Sequence, residues 1–312
     1  VGDVERAAPP TGWTAEFRTS NMQPGSGAMP VAQHARATGA GAAPPQEAVQ
    51  VKVRDAVMED LKPGAVIADR YEVQGLLGRG GMACVYKCKD SELDDVIAMK
   101  IFTHRVEDPQ LISRFKQEVQ LSRQLSHPNI VRLYDFGTHA GLRYITMELL
   151  QGAELGTIIG KPMDLVQGLG YLIGACNGMA AVHARGVIHR DLKPANFFVT
   201  NDDVLKIMDF GIAKKQGKSE GMTVQGFFAG TPEYMSPEQI QSFSKVSHLT
   251  DLYALGIITY ELFTGQCPFT HEEMGPLLMM HLTHQPKPPR EISLEIPEEL
   301  QEVILQLLEK DQ

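Results

Sequence analysis

The run His189-Arg190-Asp191-Leu192-Lys193-Pro194-Ala195-Asn196, with Asp209-Phe210-Gly211 following eighteen residues beyond Asp191, constrains this chain more than any other feature. It sets a carboxylate able to take a hydroxyl proton, a lysine, a carboxamide and a second carboxylate in a fixed order. Those are most of the parts for Mg²⁺-dependent phosphoryl transfer, which asks a protein for positioning and charge neutralisation more than for covalent chemistry. Either short motif alone would be weak evidence. Together, in this order and among the elements below, they are strong.

The 312 residues are 43% hydrophobic, enough for a substantial core. Nearly half of residues 1–50 are Ala, Pro or Gly without apolar periodicity, so 1–62 is expected to be a disordered leader unable to offset its ordering entropy. Trp13 reads as an exposed aromatic of that leader rather than a docking residue. A net charge of -9 argues against nucleic acid as a partner, because phosphate neutralisation needs clustered Lys and Arg. Four cysteines without a CxxC pair fit free thiols in a reducing, cytoplasmic setting, and Cys84 and Cys88 have no nearby His or Cys to complete a metal site. No secretory signal is visible. Leu165 to Val182 is apolar, and Gly170, Gly174 and Gly178 imitate a small-xxx-small membrane interface. Gln167 and Asn177 interrupt it, so it reads as a buried core helix and no membrane segment is expected in this chain.

Leu77-Gly78-Arg79-Gly80-Gly81-Met82-Ala83 lets a backbone approach phosphates closely. Gly78-x-Gly80-x-x-Ala83 also fits a dinucleotide-binding turn, which must lead into a helix. Here Val85-Tyr86-Lys87-Cys88-Lys89 continues as a strand, so the segment reads as a hairpin. Further on, Leu111 to Leu125 sets Ile112, Phe115 and Val119 at helical spacing, with Glu118 to one side of that stripe.

With Val96-Ile97-Ala98-Met99-Lys100, His127-Pro128-Asn129-Ile130 and Tyr144 to Leu150, these motifs resemble protein kinases over roughly Tyr71 to Gln312. Gly81-Met82, Asp209 to Lys214 and Tyr234-Met235-Ser236-Pro237-Glu238-Gln239 look most like bacterial eukaryotic-like (Hanks-type) serine/threonine kinases. The resemblance implies a two-lobed α+β fold, with an antiparallel β-rich N-lobe over 63–150, a mainly helical C-lobe over 151–312, and ATP and Mg²⁺ at the hinge. It implies that Lys100 contacts the α- and β-phosphates and pairs with Glu118, and that Gly78, Gly80 and Gly81 cover the phosphates. Leu77, Val85 and Ala98 would lie above the purine and Phe198 below it. Met147 would be the gatekeeper, and the backbone of Glu148 and Leu150 would bind adenine.

By the same resemblance Asp191 accepts the substrate proton, Lys193 reaches the γ-phosphate and marks a Ser/Thr enzyme, and Asn196 and Asp209 hold Mg²⁺. Arg190 implies a phosphate on the following loop, for which Thr223 is the expected site, while Thr231 contacts Lys193 and Asp191. Asp251 resembles a helix-capping aspartate that anchors the catalytic loop. The departures from the pattern are Ala83 where kinases usually have glycine, Ser122 where many have an apolar residue, Phe198 where an aliphatic residue is usual, and Ser236-Pro237-Glu238 in place of Ala-Pro-Glu. The pattern breaks off at Lys310-Asp311, before the arginine that pairs with the last of those glutamates. The chain is therefore expected to continue, and Glu238 to lack a partner whose loss costs about 3–5 kcal/mol. Protein substrates bearing Ser or Thr, autophosphorylation and a homodimer are implied. The alternative class is a non-catalytic scaffold, which usually lacks the equivalents of Lys100, Asp191 or Asp209; all three are present.

Overall fold

Alternation of buried and exposed residues every second position builds the first half of the described chain. The computed structural model describes residues 61–80, 83–103, 119–120, 123, 125–209, 231–242 and 245–311. Strands β1 (Val66–Ile67), β2 (Tyr71–Arg79), β3 (Ala83–Asp90), β4 (Asp95–Phe102), β5 (Leu133–His139) and β6 (Leu142–Glu148) form one sheet in the order β1-β2-β3-β4-β6-β5. Every pairing in it is antiparallel. Along β3, Cys84, Tyr86 and Cys88 are buried, and on β4 Ile97, Met99 and Ile101 join them in one apolar cluster. The period of two thus sends Val85, Ala98 and Lys100 to the opposite face.

The β2–β3 turn is a hairpin, closed by the Gly80 amide donating to the Ala83 carbonyl at 2.8 Å. A strand follows it, which excludes the dinucleotide-binding turn. Leu61 packs against the same apolar cluster and its amide donates to the Tyr86 hydroxyl.

After β6 the chain enters a short three-stranded antiparallel sheet of β7 (Gly152–Glu154), β8 (Phe197–Thr200) and β9 (Leu205–Ile207). Helices α1 (Leu155–Ile158), α2 (Leu165–His183), α3 (Pro237–Gln241), α4 (His248–Thr264), α5 (Met274–Thr283) and α6 (Glu298–Leu307) make up the rest of the large lobe. Asp164 starts α2 by accepting the Val166 and Gln167 amides. By length and composition α2 passes for a membrane span. Its Tyr171, Ala175, Met179 and Val182 are nevertheless buried in the large-lobe core with Ile207, Tyr253 and Leu255. Burial of the Met, Val, Ile and Leu side chains among these contributes about 1.5–3 kcal/mol each.

Helix α4 is the centre of that core, with Leu255, Ile258 and Leu262 all buried. It begins at His248 with the Ser247 hydroxyl as its cap and ends on Gly265 in the left-handed conformation, φ 75°. Gly256 lets α6 come close: a Cβ there would lie 2.7 Å from the Leu307 Cβ.

Candidate active site

The sheet face opposite the small-lobe core carries the expected nucleotide residues in register. Val85 stands across from both Gly78 and Lys100, and Ala98 across from Met147. Directly opposed residues in an antiparallel pair share a face, so Gly78, Val85, Ala98, Lys100 and Met147 form one patch. A Cβ on Gly78 would meet nothing within 4 Å, so no packing inside the protein demands glycine there. Leu77 is 41% exposed beside it. From the large lobe, Phe198 sits on β8 between its cross-strand neighbours Glu154 and Lys206. Glu148 and Leu150, at the end of β6 and just beyond, join the two lobes.

Lys100 Nζ donates to Asp209 Oδ1 at 2.5 Å, bringing the small-lobe lysine to the carboxylate just beyond β9. Asp209 holds φ at 53°, a left-handed conformation uncommon for a residue other than glycine. Glu118, the expected partner of Lys100, and Gly81 lie outside the described residues.

The residues expected to form the catalytic loop lie close together. Lys193 Nζ lies 3.8 Å from Asp191 Oδ2 and donates to the Thr231 hydroxyl at 3.1 Å. Asn196 is buried, and its Nδ2 donates to the Asp191 carbonyl at 2.6 Å. Its backbone carbonyl accepts the Met208 amide at 2.8 Å, so Asn196 and the strand leading to Asp209 are fixed to each other. With its nitrogen committed to Asp191, the Asn196 carboxamide oxygen is the acceptor left for a cation, and the Asp209 carboxylate is a second hard oxygen donor. The donor chemistry fits Mg²⁺.

Asp251 anchors the loop from α4. Its Oδ2 accepts the His189 amide and its Oδ1 the Arg190 amide, both at 2.8 Å, while His183 Nε2 also meets Oδ2 at 2.8 Å. The capping role falls to Ser247 instead, because Asp251 lies within the first turn of α4 and spends its carboxylate on the loop. Arg190 has φ 66°, and its Nε is buried without a hydrogen-bond partner among the described residues. Thr223, the residue expected to carry a phosphate for it, lies outside them.

Glu238 is half-buried and accepts the Thr250 hydroxyl.

Three neighbours of the site escaped the sequence reading. Lys206 pairs with Glu148 at 2.8 Å. Glu154 opens to solvent at the cleft, yet burial of its carboxyl and the nearby Asp209 raise its pKa against the pull of Lys193. Gln239 Nε2 donates to the Arg190 carbonyl at 2.9 Å. Strand pairing is a signal for the first two, since Glu154, Phe198 and Lys206 line up across β7, β8 and β9.

Residues 71–312 match the protein kinase domain family. The chain is 36% identical over 261 residues to the serine/threonine-protein kinase pkn3 of Myxococcus xanthus, covering 80% of this chain and 48% of the relative. It is 37% identical over 252 residues to the serine/threonine-protein kinase PknB of Mycobacterium leprae, covering 78% and 40%. A probable serine/threonine-protein kinase of Clostridium acetobutylicum is 35% identical over 251 residues, covering 79% and 38%. The chain thus spans less than half the length of these relatives, and ATP is the phosphoryl donor of the family. It belongs to the protein kinase family, among the bacterial Hanks-type serine/threonine kinases.

Proposed function

We propose that this chain transfers the γ-phosphoryl group of Mg-ATP to serine and threonine hydroxyls of proteins, itself included, in signal transduction. The observation that carries this reading is the convergence of Asp191, Lys193 and Thr231, with Lys193 Nζ 3.8 Å from the Asp191 carboxylate and 3.1 Å from the Thr231 hydroxyl. A substrate hydroxyl beside Asp191 gives up its proton to that carboxylate as its oxygen bonds to the γ-phosphorus. The bond from that phosphorus to the bridging oxygen breaks, and ADP leaves with the electron pair. Lys193 balances charge on the moving phosphoryl group, and Lys100 holds the α- and β-phosphates in line. Asn196 and Asp209 would hold Mg²⁺, which neutralises phosphate charge when bound.

Leu77, Gly78, Gly80, Gly81, Val85, Ala98, Met147, Glu148, Leu150 and Phe198 are assigned to the nucleotide. Glu118 is assigned to Lys100, and Thr223, Arg190 and Thr231 to control of the substrate-binding segment. Phosphorylation of one copy by another makes a homodimer part of the reading. The four cysteines are free thiols, which agrees with a cytoplasmic setting.

The test is Mg-ATP-dependent phosphate incorporation into this chain and a generic basic protein, beside Asp191→Asn, with sites mapped by mass spectrometry. Incorporation lost in the variant supports the reading. An inert chain, in a form extended past Gln312 as well, would favour the non-catalytic scaffold.

A further inference from the structure

We infer that Gln239 is a positioning residue for Asp191, joining the catalytic loop to the segment that carries Thr231; this rests on the kinase reading above. Arg190, immediately before Asp191, holds φ at 66°, a conformation that residues with a Cβ rarely keep unless neighbours impose it. Its peptide groups are gripped from two directions. Asp251 Oδ1 accepts the Arg190 amide at 2.8 Å, and Gln239 Nε2 donates to the Arg190 carbonyl at 2.9 Å. That carbonyl belongs to the peptide unit that Arg190 shares with Asp191, so Gln239 fixes the plane from which the Asp191 side chain departs.

The other end of the same amide is committed as well. Gln239 Oε1 accepts the Ser236 amide at 3.1 Å, and the Gln239 amide donates to the Ser236 hydroxyl at 3.4 Å, closing a capping box at the start of α3. Gln239 is 5% exposed and Ser236 is fully buried. The segment just ahead of this box contains Thr231, which receives the Lys193 hydrogen bond. A carboxylate at 239 could accept from Ser236 but has no proton for Arg190, so the carboxamide is the group that serves both partners. A cavity lined by Arg190, Asp191, Thr231, Gln239, Thr250 and Asp251 lies at this junction.

The separating experiment compares Gln239→Glu, Gln239→Met and Ser236→Ala in the 312-residue chain. Ser236→Ala breaks the capping box, keeps the Arg190 bond and introduces the residue most kinases carry there. Amide hydrogen exchange of the 189–192 segment should rise about tenfold in both Gln239 variants and stay within about threefold of wild type in Ser236→Ala. Phosphate transfer should show kcat lowered about tenfold or more in both Gln239 variants, with the KM for ATP within about twofold, because nucleotide contacts are untouched. Unchanged exchange at 189–192 in the Gln239 variants would overturn the inference, as would equal losses in Ser236→Ala. Failure of the kinase reading looks different: wild type would transfer no more phosphate than Asp191→Asn, while the exchange comparison would still decide the role of Gln239.

Discussion

Lys206, on the strand leading to Asp209, pairs with Glu148 at 2.8 Å, so the side chain at the end of the small-lobe sheet is bound to the large lobe. Glu148 Oε1 also accepts the Arg132 amide at 2.8 Å. Both members of the ion pair are partly buried, which reduces but does not remove solvent screening. A double-mutant cycle of Lys206→Met and Glu148→Gln, followed by urea unfolding, should give a coupling of about 1 kcal/mol. Additive losses would mean that the pair makes no net contribution in solution.

The Thr231 hydroxyl is the partner that holds Lys193 beside Asp191. Thr231→Val keeps the shape and removes the acceptor, and should lower kcat about tenfold at saturating ATP. Thr231→Ser keeps the hydroxyl and should retain most of the activity. Equal rates for the two variants would separate the threonine from the chemistry.

The glycines of α2 divide by what surrounds them. A Cβ on Gly178 would lie 2.7 Å from Ile207 Cδ1 and 2.9 Å from the Asn129 carbonyl, whereas one on Gly170 would meet nothing within 4 Å. Gly178→Ala should therefore lower unfolding free energy by about 1–3 kcal/mol through overpacking. Gly170→Ala should raise it by about 0.5–1 kcal/mol through helix propensity and a restricted unfolded chain. Chemical denaturation of the two variants checks the opposite signs.

His281 is fully buried, with Nδ1 3.0 Å from the Tyr253 hydroxyl, and burial beside the Lys310 charge lowers its pKa from 6.5 to about 4. Lys310 Nζ donates to the same hydroxyl at 3.1 Å and lies 4.3 Å from the Phe269 ring centroid. The folded chain favours the neutral ring, while the unfolded chain protonates it near pH 6.5. The stability that the neutral ring contributes is complete above that pH and is lost as pH falls toward 4. The loss should reach about 3 kcal/mol, and His281→Leu should remove that part of the slope from unfolding measured between pH 4 and 7. A slope unchanged by the substitution would contradict the assignment.

What the sequence made legible follows from how each feature is encoded. Asp191, Lys193 and Asn196 are neighbours in the chain, so their geometry is local, whereas Val85, Ala98 and Lys100 were assigned by resemblance alone, and it is the β3–β4 pairing that gives them one face. The contact of Gln239 with Arg190 joins residues 49 apart through a backbone carbonyl, which leaves no trace in residue type. The resemblance gave Asp251 both a capping and an anchoring role; Ser247 takes the cap, because the His189 and Arg190 amides claim the Asp251 carboxylate. The α2 glycine stripe reads identically for a membrane interface and a crowded core; Ile207 and Asn129 settle it in favour of the core.

Strand β6 ends at Glu148 and β7 begins at Gly152, and the Gln151 carbonyl already accepts the Asn201 amide of the large lobe at 2.8 Å. The chain thus passes between the lobes at Leu149 and Leu150, and also at Arg132, between the Val131 amide held by the Ile207 carbonyl at 2.9 Å and the start of β5 at Leu133. The two crossings are tied to each other, since the Glu148 amide donates to the Arg132 carbonyl at 3.0 Å. Two cross-linked passages of backbone resist twisting of the small sheet against the large lobe more than a single strand would.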